Sequence, residues 1–343
     1  MVACARSRLL MTLLSAALLS SGLVVADASS SGAASGRSLS SATVRAPGIA
    51  GCSMLPASNV WNTPVTNLPV MTNSAQLVAA IGASSPLHPD FGSGTWKGAP
   101  IGIPFTVVPS TQPGVSVRFH YASESDPGPY PIPGDPKIEG GPNGTGDRHV
   151  LLVQRGTCKD FELFDAKPIP GSTSWRAGSG AIFSMGSNAL RPAGWTSADA
   201  AGLPILAGLA RPGEVANGVI DHALRITVPV SAQSYLWPAR HEAGSSSGIV
   251  PMGLRLRLKA SVDISSFPSS DQVILQALKT YGAIVADNGS PWYLSGVPSA
   301  AWNNTTLHLL TQITGSDFEA VDESCLQVSA SSGAANPANC PSG

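Results

Sequence analysis

The stretch that most constrains the fold of this chain covers residues 146–153 and reads Gly-Asp-Arg-His-Val-Leu-Leu-Val. Its apolar half is typical of a buried strand, whereas its first half carries three charged or titratable side chains. Residues 220–226 show similar chemistry, with Asp221, His222 and Arg225 set among apolar residues. Because the ends of core strands hold side chains rigidly, the two stretches predict a functional site.

Glycine and proline shape the rest of the fold, with 36 and 29 residues in a chain of 343. Both residues interrupt helices and favour turns, and the segments between them alternate apolar and polar side chains as short strands do. The sequence therefore predicts a mainly β protein. The expected architecture is a single large β-sandwich or jelly-roll-like domain with two or three short helices.

The N-terminus has the pattern of an export signal. Arg6 and Arg8 precede an apolar run over residues 9–25, and Ala26-Asp27-Ala28 offers small residues to a signal peptidase. The run is shorter than the roughly 20 residues that a membrane span needs. Residues 1–28 are therefore predicted as a signal peptide, and the mature protein as secreted and extracellular.

Composition divides the remaining chain. Residues 29–50 are rich in Ser, Ala and Gly without periodicity, which predicts a flexible leader. No linker interrupts residues 51–328, so they are predicted as one β-rich domain. Residues 329–343 form a low-complexity tail that Cys340 would tie down.

Four cysteines remain after cleavage of the signal: Cys52, Cys158, Cys325 and Cys340. An even number in an exported chain predicts two disulfides, for which three connectivities exist. The preferred pairing is the most local one, Cys52 with Cys158 and Cys325 with Cys340. A thiolate metal site is the alternative, but the spacings contain no Cys-x-x-Cys.

Local patterns predict several elements. Helices are expected over residues 74–81 and 270–281, where a capping residue comes before an apolar stripe and glycine follows. Residues 161–165 should form a hairpin with the strand at 146–153. In residues 254–259 leucines alternate with cations, so the leucines should face the core. The cations, which should face away from it, are Arg255, Arg257 and Lys259.

Further strands are predicted over residues 101–108, 115–121, 220–228, 235–237, 283–286 and 292–294. The last two flank Asn288-Gly289, a turn signal typical of hairpins. Residues 124–146 form a loop dominated by proline and glycine. Loops of this length are often functional.

Three stretches resemble a group of secreted bacterial proteins: residues 124–130, 146–150 and 283–289. The resemblance covers nearly the whole mature chain and implies neither a catalytic residue nor a substrate. In general character the chain is similar to polysaccharide-acting sandwich proteins, which is an analogy of fold.

The predicted function is that of a secreted carbohydrate-active enzyme, a polysaccharide hydrolase or lyase that uses a cluster of His, Asp and Arg. Hydrolysis needs two carboxyl groups roughly 5–10 Å apart. A lyase would neutralise a uronate with cations, such as the row at 255–259, and remove a proton with His or Tyr. The candidate catalytic residues are His149, His222, His241, Asp147, Asp221 and Glu139. The candidate substrate-binding residues are Arg148, Arg225, Arg240, Tyr130 and Trp96.

Structural roles compete with these. A histidine on an apolar strand face is often a hydrogen-bonded core residue, which applies to His149 and His222. Asp147 and Asp221 would then pair with the arginines at 148, 225 or 240. The repeated sequence order also predicts that His149 and His222 share one polar cluster, because isolated buried imidazoles are costly.

Charge and motifs limit the partners. A net charge of −1 gives no general attraction to nucleic acid or to a membrane. The expected partner is a polysaccharide or glycan, and the expected state is a monomer. No His-Glu-x-x-His occurs, so no cofactor is predicted, with a divalent metal left as an alternative. A rival function is non-catalytic binding of a glycan or cell wall by exposed aromatic residues, namely Trp96, Tyr130, Trp175 and Trp195.

Overall fold

The computed structural model describes residues 48–341. The predicted signal peptide, and the leader up to residue 47, lie outside the described residues. All described residues belong to one compact unit, Val44–Gly343. Of the predicted leader, residues 48–50 are described, and Ile49 among them is buried and pairs with Cys52 through backbone hydrogen bonds of 3.0 and 2.9 Å.

Seventeen strands and four α-helices are formed by the described residues. The strands are β1 (His88–Asp90), β2 (Thr95–Trp96), β3 (Ala99–Pro100), β4 (Phe105–Val108), β5 (Val117–Phe119), β6 (Val150–Gln154), β7 (Lys159–Phe164), β8 (Lys167–Pro168), β9 (Trp175–Ala177), β10 (Ser179–Ser184), β11 (Leu224–Val228), β12 (Ser231–Tyr235), β13 (Val250–Met252), β14 (Arg255–Leu258), β15 (Ala283–Asn288), β16 (Tyr293–Ser295) and β17 (Phe318–Val321). The helices are α1 (Ser74–Ile81), α2 (Pro212–Ala216), α3 (Ser269–Thr280) and α4 (Asn304–Leu307). Of the described residues, 28% are in strands and 18% in helices, so the prediction of a β-rich fold is confirmed.

The largest sheet has six strands in the order β1-β16-β11-β15-β14-β17. It mixes orientations: β1 runs parallel to β16 and β11 parallel to β15, while the other pairs are antiparallel. Its central strands β11, β15 and β14 are largely buried on both faces, which is typical of a sheet that is covered on both sides. The sheet carries the main hydrophobic core of the protein.

A four-stranded sheet has the order β10-β7-β6-β4. Its strand β6 explains the apolar run that follows His149. Val150 and Leu152 pack into one hydrophobic cluster, and Leu151 and Val153 pack into another on the opposite face. The predicted hairpin is confirmed, because β6 and β7 pair antiparallel from Val150–Leu163 to Gln154–Lys159.

A three-stranded sheet, in the order β5-β9-β8, covers one face of the four-stranded sheet. Phe119 and Trp175 from this sheet pack on the same cluster as Tyr130. Two further pairs of strands, β2-β3 and β12-β13, complete the β structure.

The two predicted helices are confirmed as α1 and α3. In α3 the residues at helical spacing, Ile274, Ala277 and Leu278, are buried against the main core. Asp271 lies in the first turn and Lys279 in the last, where each charge favours the helix dipole. Among the described residues no helix combines the length and the apolar character that crossing a bilayer requires.

One predicted hairpin is wrong. The strands on either side of Asn288-Gly289, β15 and β16, are not neighbours, because β11 lies between them and pairs with both. The turn residues instead serve long-range contacts. The Asn288 side chain accepts from Ser231 N at 3.0 Å and donates to Ala243 O at 2.8 Å. A local turn signal does not encode such an inserted strand.

The predicted outward row of cations is also wrong. Arg255 and Arg257 are buried, because residues 60–68 cover their face of β14. Arg255 pairs with Glu323 at 2.9 Å, and Arg257 pairs with Glu319 at 2.6 Å. Both also donate to backbone carbonyls. The Lys259 ammonium donates to Ser316 O at 2.7 Å.

The predicted disulfides, Cys52–Cys158 and Cys325–Cys340, are confirmed. The second one closes the end of the tail. That tail is packed rather than merely tethered, since Ala335 is buried in the main core and pairs with Gln327.

Candidate functional site

Strand β11 places Arg225 at the centre of a polar row across the six-stranded sheet. The pairing of β11 with β16 brings Arg225 opposite Ser295, since Ile226 faces Leu294. The pairing of β1 with β16 brings Ser295 opposite Asp90. Residues opposite one another share a sheet face. Asp90, Ser295 and Arg225 therefore lie side by side on one face.

The Arg225 guanidinium is buried, and each of its three nitrogens donates to at least one acceptor. It binds Asp199 in a bidentate pair, with Nε to Oδ2 at 2.8 Å and Nη2 to Oδ1 at 2.6 Å. Nη1 donates to Ser295 Oγ at 2.8 Å, and Nη2 also reaches Asp287 Oδ2 at 3.2 Å. We call Arg225, Asp199, Asp287 and Ser295, with the neighbouring pair His149–Glu139, the Arg225 cluster.

Two carboxylates lie against one guanidinium here, and this sets the protonation of Asp287. Burial and the negative charge of Asp199 raise the pKa of Asp287 to about 7, although Arg225 and His149 oppose the shift. The Asp287 side chain is 22% exposed, so solvent can reach it. Asp287 is thus a carboxyl group that holds a proton close to neutral pH.

His149 joins the cluster through Glu139. Its Nδ1 lies 2.5 Å from Glu139 Oε2, and its Nε2 lies 3.0 Å from Ala198 O. A carbonyl oxygen only accepts hydrogen bonds, so an imidazolium satisfies both contacts. Burial alone would lower the pKa of His149, but the charge and hydrogen bond of Glu139 outweigh it and raise the pKa to about 9.

Glu139 shows the opposite shift to Asp287. Burial would raise the pKa of Glu139, but the charge and hydrogen bond of His149, together with the charge of Arg225, lower it. Its side chain is 26% exposed. The Arg225 cluster therefore contains one part-exposed carboxylate held ionised and one part-exposed carboxyl held protonated near neutral pH.

His222 belongs to a separate hydrogen-bonded group. Its Nε2 lies 2.9 Å from Glu214 Oε1, and its Nδ1 lies 2.7 Å from Ala223 O. Glu214 also accepts from the backbone and the guanidinium of Arg211. No hydrogen bond or ion pair joins His222 to His149 within residues 48–341. The proposal of one shared cluster for the two histidines stays a prediction.

His241 repeats the same arrangement. Its Nδ1 lies 2.8 Å from Ala200 O, and its Nε2 lies 3.5 Å from Glu124 Oε2. Each predicted histidine thus connects one backbone carbonyl to one glutamate. In its protonated state His149 has no ring lone pair free to accept a substrate proton. The structural alternative, a hydrogen-bonded core histidine, describes both His149 and His222.

Glu139, Asp147 and His149 are also close enough to hold a metal ion, with one ligand atom from each within 4.8 Å of the others. Metal binding needs an unprotonated ring nitrogen. The contacts of His149 with Glu139 and Ala198 occupy both ring nitrogens as donors. The donor set therefore does not fit a metal unless those contacts are broken.

Arg148 and Arg240 are not available to a substrate, contrary to the prediction. Arg148 is buried at φ +50°, and its Nε and Nη1 donate to the carbonyls of residues 166, 141, 142 and 144. Arg240 is buried and donates to Arg191 O at 2.7 Å and to Ala330 O. Both arginines fix loops, because buried guanidinium groups need acceptors for their many N–H donors.

The predicted carboxylate pairs differ as well. Asp147 is exposed, and Asp221 is half-buried with its charge near Arg211. Neither forms an ion pair with the arginines at 148, 225 or 240 in the described part of the chain. Asp199 and Asp287 take that role for Arg225.

The predicted aromatic residues divide sharply. Tyr130 is fully buried, and its hydroxyl donates to Asp126 O at 2.8 Å, so its prediction as an exposed binding residue is wrong. Trp175 and Trp195 are half-buried. Trp96 has 70% of its surface exposed on the β2-β3 hairpin.

The described residues also form a groove with a volume of about 910 Å³. Its lining comes from five segments, within residues 48–50, 94–107, 135–142, 211–214 and 297–300. Two of its lining residues are close in sequence to the Arg225 cluster. Ile138 directly precedes Glu139, and Val297 follows Ser295 by two residues. None of the predicted catalytic residues lines this groove, but Arg211 and Glu214 do.

Sequence reasoning missed Asp199, Glu214 and Asp287. Asp287 carried a usable signal, because it directly follows the apolar run 283–286, just as Asp147 and Arg148 precede the run at 150–153. Asp199 and Glu214 lie in irregular, breaker-rich sequence and carry no such signal. Searches with the chain find no matching family model, no matching curated protein and no matching solved structure.

Proposed function

We propose that the protein is a secreted carbohydrate-active enzyme that hydrolyses polysaccharides, with Glu139 and Asp287 as its two working carboxyl groups. One observation carries the proposal: the two part-exposed carboxyls beside Arg225 have pKa values shifted in opposite directions. Carboxyl pairs whose environments separate their pKa values are the usual source of an acid and a base in one site.

The chemistry follows from those protonation states. Asp287 would donate its proton to the glycosidic oxygen as the bond from that oxygen to the anomeric carbon breaks. Glu139 would accept a proton from the water that attacks the same carbon, which leaves two hydroxyl-terminated sugars. Arg225 and His149 would act as positioning residues, because they hold the two carboxyl groups without contacting the substrate.

One argument for a lyase does not hold in the structure. It relied partly on the cation row of β14 to neutralise uronates, and Arg255 and Arg257 are buried in internal ion pairs. Secretion is supported by the two disulfides, which persist in oxidising compartments. The sandwich or jelly-roll arrangement stays a prediction, and the parallel pairs β1-β16 and β11-β15 argue against a jelly roll of antiparallel strands.

A second function has its own support. Trp96 is exposed on the β2-β3 hairpin, and Pro100 of this hairpin and the adjacent Gly94 line the groove. An exposed indole is a typical platform for the apolar face of a sugar ring, and it needs no catalytic group. The rival proposal is therefore a non-catalytic glycan-binding protein.

The deciding experiment measures new reducing ends on a panel of polysaccharides with the secreted wild-type protein and with Glu139→Gln and Asp287→Asn. Each substitution should lower the rate at least about 10²-fold, because each removes an acid or base. Asp263→Asn is the matched control, since this carboxylate is exposed and remote from the cluster in sequence. Unchanged rates in both cluster variants, or binding without any cleavage by the wild type, would contradict the enzyme proposal.

A further inference from the structure

Arg211 in the groove wall has an unsatisfied donor. Its side chain is 7% exposed, and its Nη2 donates to Glu214, yet its buried Nη1 has no hydrogen-bond partner. Five buried side-chain atoms of the described residues share this condition. Nη1 of Arg211 is the only one of the five whose residue lines the groove.

The neighbouring carboxylate cannot satisfy this donor as it stands. Glu214 Oε1 already accepts from Arg211 Nη2 and from His222 Nε2 at 2.9 Å. Glu214 Oε2 accepts from the backbone N–H of Arg211 at 3.0 Å. Leaving a buried donor unpaired costs about 1–3 kcal/mol, and more when the group is charged. An acceptor oxygen brought into the groove would remove that cost once the Arg211 guanidinium turns toward it, because Nη1 is buried in this structure.

A second cation favours an anionic acceptor. Lys137 also lines the groove, is exposed, and its ammonium has no partner among residues 48–341. Asp135, two residues earlier, is an exposed carboxylate in the same lining and would oppose an anion. Hydrogen bonds from a guanidinium to an ionised oxygen are roughly twice as strong as neutral ones.

We propose that the groove binds the anionic oxygens of an acidic saccharide, a carboxylate or a sulfate ester, through Nη1 of Arg211 with support from Lys137. This inference rests on the proposed function insofar as the ligand is a glycan. It adds the class of glycan, and it places recognition in the groove rather than at the predicted arginines 148 and 240.

The test titrates the full secreted chain with four oligosaccharides by calorimetry. Oligogalacturonate is compared with its methyl ester, and a sulfated neutral oligosaccharide with its unsulfated form. At least one charged form should bind about tenfold more tightly than its uncharged match. Whichever charged ligand binds more tightly shows whether the groove prefers a carboxylate or a sulfate ester. Equal affinity within both pairs, or no binding by either charged form, would overturn the inference.

Variants locate the contact. Arg211→Gln should weaken binding of the charged ligand about tenfold or more, Lys137→Gln about threefold, and Asp135→Asn should strengthen it. The exposed Arg118 on β5 is the matched control, and Arg118→Gln should bind as the wild type does. Because Arg211 also holds Glu214, circular dichroism must show that its variant is folded. Lys137 is exposed, so its variant tests the site even if the Arg211 variant unfolds. Affinities that do not change in the Lys137 and Asp135 variants would contradict the assignment.

Cleavage is measured separately so that the two proposals can fail independently. Charge-dependent binding without any cleavage would end the enzyme proposal and leave this inference in place. If the protein cleaves oligosaccharides but binds the neutral and charged forms with equal affinity, the enzyme proposal stands and this inference is contradicted.

Discussion

Arg225 and Arg255 are two buried arginines in one row of the six-stranded sheet. Both lie opposite Ile284, Arg225 from the β11 side and Arg255 from the β14 side. Their surroundings differ. Arg255 meets one carboxylate, Glu323, and two backbone carbonyls, those of Tyr281 and Val60. Arg225 meets two aspartates and a serine, with the His149–Glu139 pair nearby.

The difference shows how the same residue type becomes a structural group or part of a chemical site. Glu323 is only 6% exposed, so a substrate cannot reach its carboxyl group even though burial raises its pKa. Around Arg225 the carboxylates outnumber the guanidinium, and Asp287 reaches solvent. Burial, together with the negative charge of Asp199, raises the pKa of Asp287 to about 7, and its part-exposed side chain makes that proton usable.

The largest expected difference between the two environments is the loss of stability when each arginine is replaced. Arg225→Met should lower the free energy of unfolding by about 3–5 kcal/mol, because Asp199 remains buried without its cation. Arg255→Met should cost less, about 1–3 kcal/mol, because burial already raises the pKa of Glu323 and lets it become neutral. Urea unfolding at pH 7 measures both values. An equal or larger loss for Arg255→Met would remove the distinction.

The His149–Glu139 pair should make stability depend on pH. The pKa of His149 is raised from 6.5 to about 9 on folding, so the folded state binds the proton more tightly than the unfolded state. This contribution is present in full below pH 6.5 and is lost as pH rises through 9. The loss should amount to about 3 kcal/mol by linkage. His149→Gln should lack it in urea unfolding from pH 6 to 10.

Asp287 also contributes to this pH dependence. Its pKa is raised to about 7 on folding, so its contribution to stability is likewise lost as pH rises toward 7. The informative quantity is therefore the difference between the wild type and His149→Gln across the pH range. Parallel stability curves for the two proteins would contradict the charged pair.

Catalysis should report the protonation of Asp287. Because its pKa is about 7, the rate should fall about tenfold per pH unit well above pH 7, as the acid form disappears. Glu323→Gln beside Arg255 should leave this profile unchanged, although it alters a buried carboxyl of the same sheet. A rate that stays constant from pH 7 to 9 would exclude Asp287 as the acid.

Trp96 lies outside both environments and should give the smallest effect. Trp96→Ala should change the free energy of unfolding by less than about 0.5 kcal/mol, because the side chain is 70% exposed. If the indole stacks on sugars, the same substitution should weaken glycan binding by roughly 1 kcal/mol in calorimetry. Trp302→Ala, at a buried indole, is the contrasting variant and should mainly reduce stability.

Sequence by itself determined the elements whose signals are local. Helices α1 and α3 follow from apolar spacing and a terminal glycine, and the β6-β7 hairpin follows from two apolar runs around a short turn. The disulfide pairing also follows from proximity along the chain. The helices, the hairpin and Cys325–Cys340 join residues close in the chain, whereas Cys52 and Cys158 are 106 residues apart and their pairing follows only from the choice of the most local connectivity.

The tertiary structure alone decided the partners of buried charges. Asp199 lies 26 residues from Arg225, and Asp287 lies 62 residues away, so no spacing rule connects them. The same holds for β11, which is inserted between β15 and β16 against a strong turn signal. Arginines on β14 alternate with leucines as on an exposed strand, yet residues 60–68 cover them. Alternation records which residues share a face, but only packing decides whether that face meets water or another part of the chain.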